Sequence, residues 1–498
     1  MSFIKDKFAH IPEGAGALFF IQIFATLGFG VLQSSLVLYA TKHLQFSAAQ
    51  AAAIMGVFGA FNYGLHLFGG YLGGRFLSNR NLFVGGMVLQ VIGCAFIAGG
   101  TAALMYWGLA LFLTGSGLNV TCLNMMLTQR FEPEDIRREG AFLWNYAGMN
   151  VGFAISFLVA GHYENLQDYT AMFLFATVGN FAAIVIAAIN WKAIADLDTP
   201  LLHVNRTQFL QRFAVGIAIL VGLVPVVWLL LQYPDYTEVI VYTICTFVGL
   251  YLAFLAMKHH DARERNNMWA YLILTLGSLV FWALYQMTTN GLIIFCERNV
   301  NRVVGSYEIA PQWIQFINTA VIVLGGPTMS ALFVRLRARG WNIDVPKQFS
   351  ISLILMSLGF LILPIGIKTA GADGMVAFQW IFWSYIFQSV GELLISPVGY
   401  AMIGRLAPKQ YQGIMMGSWM LVTGVASLMA GDFSKMVPDV KGVPASVTNP
   451  AYSDLFMKLG LGCVVVAVAL VVLIPTLRRL IKDKSEVDAA PLVLEPAN

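Results

Sequence analysis

Charge is what this chain has least of: Asp, Glu, Lys and Arg together make up 11% of its 498 residues, against 58% hydrophobic. That leaves too little polar material to coat a soluble protein of this size. Cysteine is also scarce. Cys94, Cys122, Cys245, Cys296 and Cys463 lie in or at the ends of apolar stretches with no CxxC pair, which excludes a thiolate metal site or a disulfide framework and leaves them as small packing residues. The seven histidines are scattered, so the sequence offers no metal site and calls for no cofactor. No basic surface with interleaved aromatics is present, which argues against nucleic acid as a partner. No span or loop assembles a nucleophile with a base and an orienting group, so the chain does not read as an enzyme. A cleavable leader is not expected either, because the first apolar run, at about 25 residues, is long enough to stay as a helix.

What fills the chain instead is a series of apolar runs of about 20 residues, the length that crosses a hydrocarbon core. Fourteen helical spans are predicted: Ala15–Tyr39, Ala48–Leu72, Leu82–Gly100, Leu104–Leu127, Ala141–Ala160, Tyr169–Trp191, Phe209–Leu231, Thr237–Met257, Met268–Phe295, Pro311–Phe333, Phe349–Ile367, Met375–Ile403, Gly413–Ala430 and Asp454–Pro475. An even number puts both termini on one side. Of the 30 Lys and Arg, 23 fall on the terminal face and seven on the other (Lys42, Arg298, Arg302, Lys368, Lys435, Lys441, Lys458). The positive-inside rule then makes both termini cytoplasmic and the lipid bilayer the chain's surroundings.

Polar Lys192–Arg212 and charged Lys258–Asn267 bracket two spans, with six before and six after. The expected organisation is a six-helix bundle over 1–192, a linker with two extra helices over 193–267, a second six-helix bundle over 268–478 and a short tail over 479–498. This is the plan of a rocker-type secondary transporter with its site at mid-membrane between the halves. A many-span receptor or membrane enzyme can have the same count.

Glu392 is the one carboxylate deep inside an apolar span. A charge at the bilayer centre costs about 2.5–3.5 kcal/mol on insertion scales, so such a residue normally faces a water-accessible cavity and serves transport or proton exchange. The plainer alternative is a protonated Glu hydrogen-bonded between helices. The 47 glycines cluster as Gly69–Gly70, Gly73–Gly74, Gly85–Gly86, Gly115 with Gly117, and Gly148 with Gly152, which close helix packing explains. The segment from Gly69 to Arg75 is either a tight turn or part of a gate.

Several segments carry a family resemblance. Gly391-Glu392-Leu-Leu-Ile-Ser396-Pro397-Val-Gly399, Leu406-Ala407-Pro408 and Gly413-Ile-Met415-Met416-Gly417-Ser-Trp419 resemble the tenth and eleventh helices of the proton-dependent oligopeptide transporters of the major facilitator superfamily. Phe281-Trp282, Trp313-Ile-Gln315 with Asn318 and Pro327, and Ala141-Phe142 through Tyr146 to Asn150-Val-Gly152 agree as well, so the resemblance runs over nearly the full length. It implies an all-α membrane protein with the major facilitator fold, two six-helix bundles plus an inserted hairpin, in a bacterial inner membrane and monomeric. It implies a substrate site in which Glu392 binds a peptide's amino terminus and couples protons, with Tyr63, Asn150, Gln286, Asn318, Ser396, Trp419 and Gln33 around it.

The departures bear on mechanism. The family's first-helix Glu-x-x-Glu-Arg positions read Gln22, Ala25 and Thr26, its further first-helix arginine Gln33, its fourth-helix lysine Val120 and its seventh-helix glutamate Gln286. Losing both partners of buried ion pairs avoids stranding a charge. The first bundle's wall is therefore expected to be uncharged. Di- and tripeptides or peptide-like amines, including amidated peptides, are the expected substrates, recognised further through Asn119, Asn145 and Asn290. His66 lies one helical turn from Tyr63, where it supplies a pH-dependent charge or simply bridges helices. An uncoupled facilitator or exporter of a non-peptide metabolite, or a transport-inactive solute sensor, remains open beside the proton-coupled reading.

Overall fold

The computed structural model describes residues 12–132, 135, 137–340, 343–437 and 442–481; Lys5, Lys7, Lys441 and the tail from Lys482 onward lie outside the described residues. Fourteen stretches are helical, long and apolar enough to cross a membrane. In chain order the helices are α1 (Ala15–Leu38), α2 (Ala48–Leu72), α3 (Asn79–Ile97), α4 (Ala102–Thr128), α5 (Arg137–Asn165), α6 (Tyr169–Ile189), α7 (Arg206–Gln232), α8 (Pro234–Lys258), α9 (Ala262–Tyr285), the short α10 (Gly291–Asn299), α11 (Pro311–Ala338), α12 (Val345–Lys368), α13 (Phe378–Leu406), α14 (Gln412–Lys435) and α15 (Ala445–Ile481).

The polar loop residues between apolar runs start many of these helices. Ser47 accepts from the Gln50 N–H at 3.1 Å, Asp168 from Ala171 at 2.9 Å and Asn205 from Gln208 at 2.9 Å. Each satisfies one backbone donor that the first helical turn leaves open. The predicted spans hold, but most helices run past the apolar core into the flanking polar residues, as in the 37-residue α15 against the predicted Asp454–Pro475. The ninth span departs further. The predicted continuous helix breaks into α9, a 3-10 turn over Gln286–Thr289, and α10. Asn290 leaves helical geometry there, at φ −120° and ψ −113°, within a run of polar side chains that compete for backbone hydrogen bonds.

Helices α1–α6 pack together, and so do α9–α15. The two bundles meet mainly along α2 against α14 and α5 against α11. Along the first of these seams the backbones touch: a Cβ at Gly431 would lie 3.0 Å from the Ala52 carbonyl oxygen, and one at Gly56 would lie 3.1 Å from that of Ser427. Any side chain there would force the bundles apart. Ile293, Ile294 and Leu428 of the second bundle complete an apolar cluster of the first. The face carrying the start of α1 and the end of α15 is the terminal face, and these contacts lie toward the opposite, far face.

The hairpin α7–α8 is divided between the halves. Val224, Val227 and Leu231 of α7 join the first bundle's core, and Trp228 stacks on Trp107 at 4.7 Å. Leu252 and Ala256 of α8 join the second bundle's core. Near the far face Tyr242 donates to Asp432 at 2.8 Å, and Lys435 pairs with Glu238 at 2.8 Å. The glycine-rich segment at the end of α2 forms a tight turn, with Gly74 at φ +73° and its N–H donating to Leu77 at 2.7 Å. The Leu201 N–H donates to the Gly74 carbonyl at 2.8 Å, so the linker before α7 folds over this turn.

Candidate functional site

Glu392 stands at the midpoint of the 29-residue α13. Asn318 of α11 donates from Nδ2 to Glu392 Oε2 at 2.7 Å and reaches Ser389 Oγ, one turn earlier on α13, at 3.1 Å. Tyr285, at the end of α9, hydrogen-bonds the same carboxylate. The first bundle supplies two more phenols within electrostatic reach of that charge, Tyr63 of α2 and Tyr146 of α5. A single acid is thus ringed by neutral hydroxyl and amide groups drawn from both bundles. Four neutral hydrogen-bonding groups can hold a carboxylate or a carboxylic acid, but none can neutralise it.

The site residues expected from sequence distribute as follows. Gln286 is buried in the 3-10 turn and hydrogen-bonds Tyr63. Asn150 donates to the Tyr146 carbonyl at 2.9 Å and also meets the Tyr146 side chain, so it joins the cluster through that tyrosine. Ser396 is half-buried, one turn past Glu392 on the same face of α13. Gln33 is on α1, with its side-chain oxygen buried and unpartnered. Trp419 stands apart: its indole is 2% exposed, set against Phe349 at 6.3 Å and so close to Gly399 that a Cβ there would fall 2.2 Å from the ring. His66 faces Tyr63 edge-on at 6.1 Å, with both ring nitrogens unpartnered.

Two of the positions that depart from the family pattern, Gln22 and Thr26, form a neutral network with Asn145. Gln22 donates to Thr26 Oγ1 at 3.0 Å, Thr26 donates to the Gln22 carbonyl at 2.7 Å, and Asn145 reaches Gln22 Oε1 at 3.4 Å. Asn119, oriented to satisfy its amide, donates to Gly115 and Phe83 carbonyls and accepts from Gln90, which makes it a bridge between α3 and α4. Asn290 donates to the Ala52 carbonyl at 3.3 Å across the bundle seam.

Beyond the carboxylate, toward the far face, the bundles are clasped by charge. Lys42, in a π-helical turn that extends α1, reaches Glu164 of α5 at 2.8 Å and Glu297 of α10 at 2.7 Å. Arg302 holds Glu297 at 2.8 Å and Glu308 at 2.9 Å. Glu164 is 1% exposed and also accepts from Tyr169 at 2.9 Å and Gln312 at 2.9 Å. On α5 and α11, Trp313 donates to the Leu158 carbonyl at 2.9 Å, in a slot where Gly161 leaves room. None of this was signalled in the sequence, where Lys42, Arg298 and Arg302 read as minority loop charges. Tyr146, Tyr285 and Ser389 were also missed as site residues, because aromatic and hydroxyl residues in spans are usually packing.

Solved structures share this architecture. A peptide transporter POT in complex with alafosfalin superposes with a TM-score of 0.83 at 23% identity, covering 95% of this chain and 96% of that one. A POT family transporter in complex with 5-aminolevulinic acid gives 0.82 at 21% identity, covering 94% and 97%. These likenesses show that two six-helix bundles with an inserted hairpin are a shared fold. Sequence comparison carries the assignment further. The dipeptide and tripeptide permease A of Cronobacter turicensis is 31% identical over 486 residues, 95% of this chain and 94% of the relative. The permease of the same name from Salmonella typhimurium is 30% identical over 481 residues, and that of Escherichia coli K12 is 28% identical over 488. A model of the POT family matches residues 76–450, and this chain belongs to that family.

Proposed function

We propose that the protein is a peptide transporter that moves di- and tripeptides or peptide-like amines across a bacterial inner membrane by alternating access, coupled to protons through Glu392. The observation that carries the reading is the half-buried acid at mid-span, held by Asn318 and Tyr285 of the second bundle and reached by Tyr63 and Tyr146 of the first. A substrate ammonium placed there completes the ion pair that the protein lacks, and a proton can neutralise the same carboxylate when no substrate is bound. Desolvation of the closed site favours the protonated acid and a bound amine favours the charged one, so the protonation of Glu392 can follow the state of the bundles and link proton movement to transport. The names of the permease relatives support peptides as the substrate.

The bias of Lys and Arg toward the terminal face supports cytoplasmic termini. With that orientation, the bundles are clasped on the periplasmic side. Gln33 is the remaining sequence candidate for the opposite wall, and Ser396 and Asn150 for the pocket sides; Trp419 shapes the pocket through the backbone of Gly399. The chain works as a monomer and needs no cofactor. Uptake of a labelled dialanine into proteoliposomes under an imposed pH gradient tests the proposal. Wild type should accumulate it above equilibrium, and Glu392→Gln should equilibrate at most. Accumulation by Glu392→Gln equal to wild type overturns coupling through this residue.

The neutral Gln22–Thr26–Asn145 network favours one second reading, facilitated diffusion without protons. Wild-type uptake that stops at equilibration under the same gradient would establish it.

A further inference from the structure

The charge surrounding Glu392 carries an inference about the ligand, resting on the transport reading just given. Helices α1, α2, α4 and α6 contain no Asp, Glu, Lys or Arg at all. Lys42 and Arg302 are spent on carboxylates at the far face. The groups that meet Glu392 are an amide and phenols. Among the described residues that meet this site there is one fixed negative charge and no fixed positive one.

Unpartnered polar atoms on the helices of the two bundles are of both kinds. Gln33 Oε1 on α1 is a buried acceptor without a donor. Trp282 Nε1, beside Tyr285 at a ring distance of 5.5 Å, and Gln315 Nε2, one turn before Asn318, are buried donors without acceptors. A carboxylate answers only the donors and brings a second negative charge into a poorly screened cavity. A carboxamide answers donors and acceptors alike and brings none.

We propose that the site selects peptide-like amines of net positive charge, whose carboxyl end is blocked as an amide, over zwitterionic peptides. His66 is the one side chain of α2 able to carry a positive charge, and it faces Tyr63.

Competition binding to the purified full-length protein at neutral pH decides the matter. The ligands are alanyl-phenylalanine, its C-terminal amide and the N-acetylated amide, measured on wild type, His66→Gln and Gln33→Arg. The amide should bind about tenfold or more tightly than the free dipeptide, and the acetylated amide should lose that advantage. His66→Gln should keep the order, whereas Gln33→Arg should narrow or reverse it by supplying a cation. A free dipeptide that binds wild type as well as its amide overturns the charge inference and leaves the transport reading standing. If none of the three ligands binds and none is taken up by proteoliposomes, the transport reading falls with it.

Discussion

Two regions of the molecule handle charge in opposite ways. At mid-membrane one carboxylate, Glu392, is surrounded by neutral groups. At the far face Lys42, Arg302, Glu164, Glu297 and Glu308 form a mesh in which each charge has an opposite neighbour. The mesh is also self-compensating within each half: Lys42 and Glu164 both belong to the first bundle, Glu297 and Arg302 to the second. If the bundles part, Lys42 gives up Glu297 and keeps Glu164, while Glu297 keeps Arg302. No charge is stranded by opening, so the far face can separate without taking up a proton. Glu392 meets only neutral partners among the described residues, so its charge is not balanced within the protein as that of the far face is. The two regions differ in whether the protein itself supplies the counter-charge.

The sharpest way to break this contrast is to remove one charge from each region. Lys42→Met leaves Glu164, 1% exposed, without its cation, and should cost about 3–5 kcal/mol of stability; thermal unfolding in detergent reads this as a lowered midpoint. Glu392→Gln removes an acid with no cation, so its stability should stay within about 1 kcal/mol of wild type, or above it, while proton-driven uptake is lost. If both variants were destabilised alike, the asymmetry would be wrong.

A smaller effect is expected from Gly431→Leu, which crowds the Ala52 carbonyl at the α2–α14 seam. It should cost about 1–3 kcal/mol and raise the labelling rate of a cysteine introduced on the far face, because the clasp can no longer seat. The smallest belongs to the neutral wall. Gln22→Ala should change stability by about 0.5–1.5 kcal/mol and reduce uptake far less than Glu392→Gln, as measured by initial rates in proteoliposomes. Equal loss of uptake in the two would show that the first bundle does share in coupling.

How much of this could be read from residues alone follows from the range of each interaction. Span number, the six-two-six order and Glu392 were legible because hydropathy over about 20 residues and one charge in an apolar run are local signals. The break at Gln286–Asn290 was missed because a polar run inside a long apolar span reads as a continuous helix until backbone geometry is seen. The far-face mesh was invisible for a different reason. Lys42 meets Glu164 across 122 positions and Glu297 across 255, and nothing at either site hints at the other. Asn318 was named through resemblance, and it lies against Glu392, which local sequence could not show. Trp419 belongs to the same matched segment, yet its ring is buried against Gly399 and Phe349. A shared motif fixes a position in the fold and leaves open whether the side chain faces ligand or core.

The α7–α8 hairpin has a mechanical consequence. Its two rods are bonded to different bodies, and a single residue, Tyr233, joins them at the far-face edge of the α2–α14 seam. A joint that short tolerates bending but very little extension. For the rocking motion proposed above, it would resist sliding along that edge more than swinging about it. The side opposite the hairpin, where α5 meets α11 and Trp313 and Glu164 lie, would then move furthest.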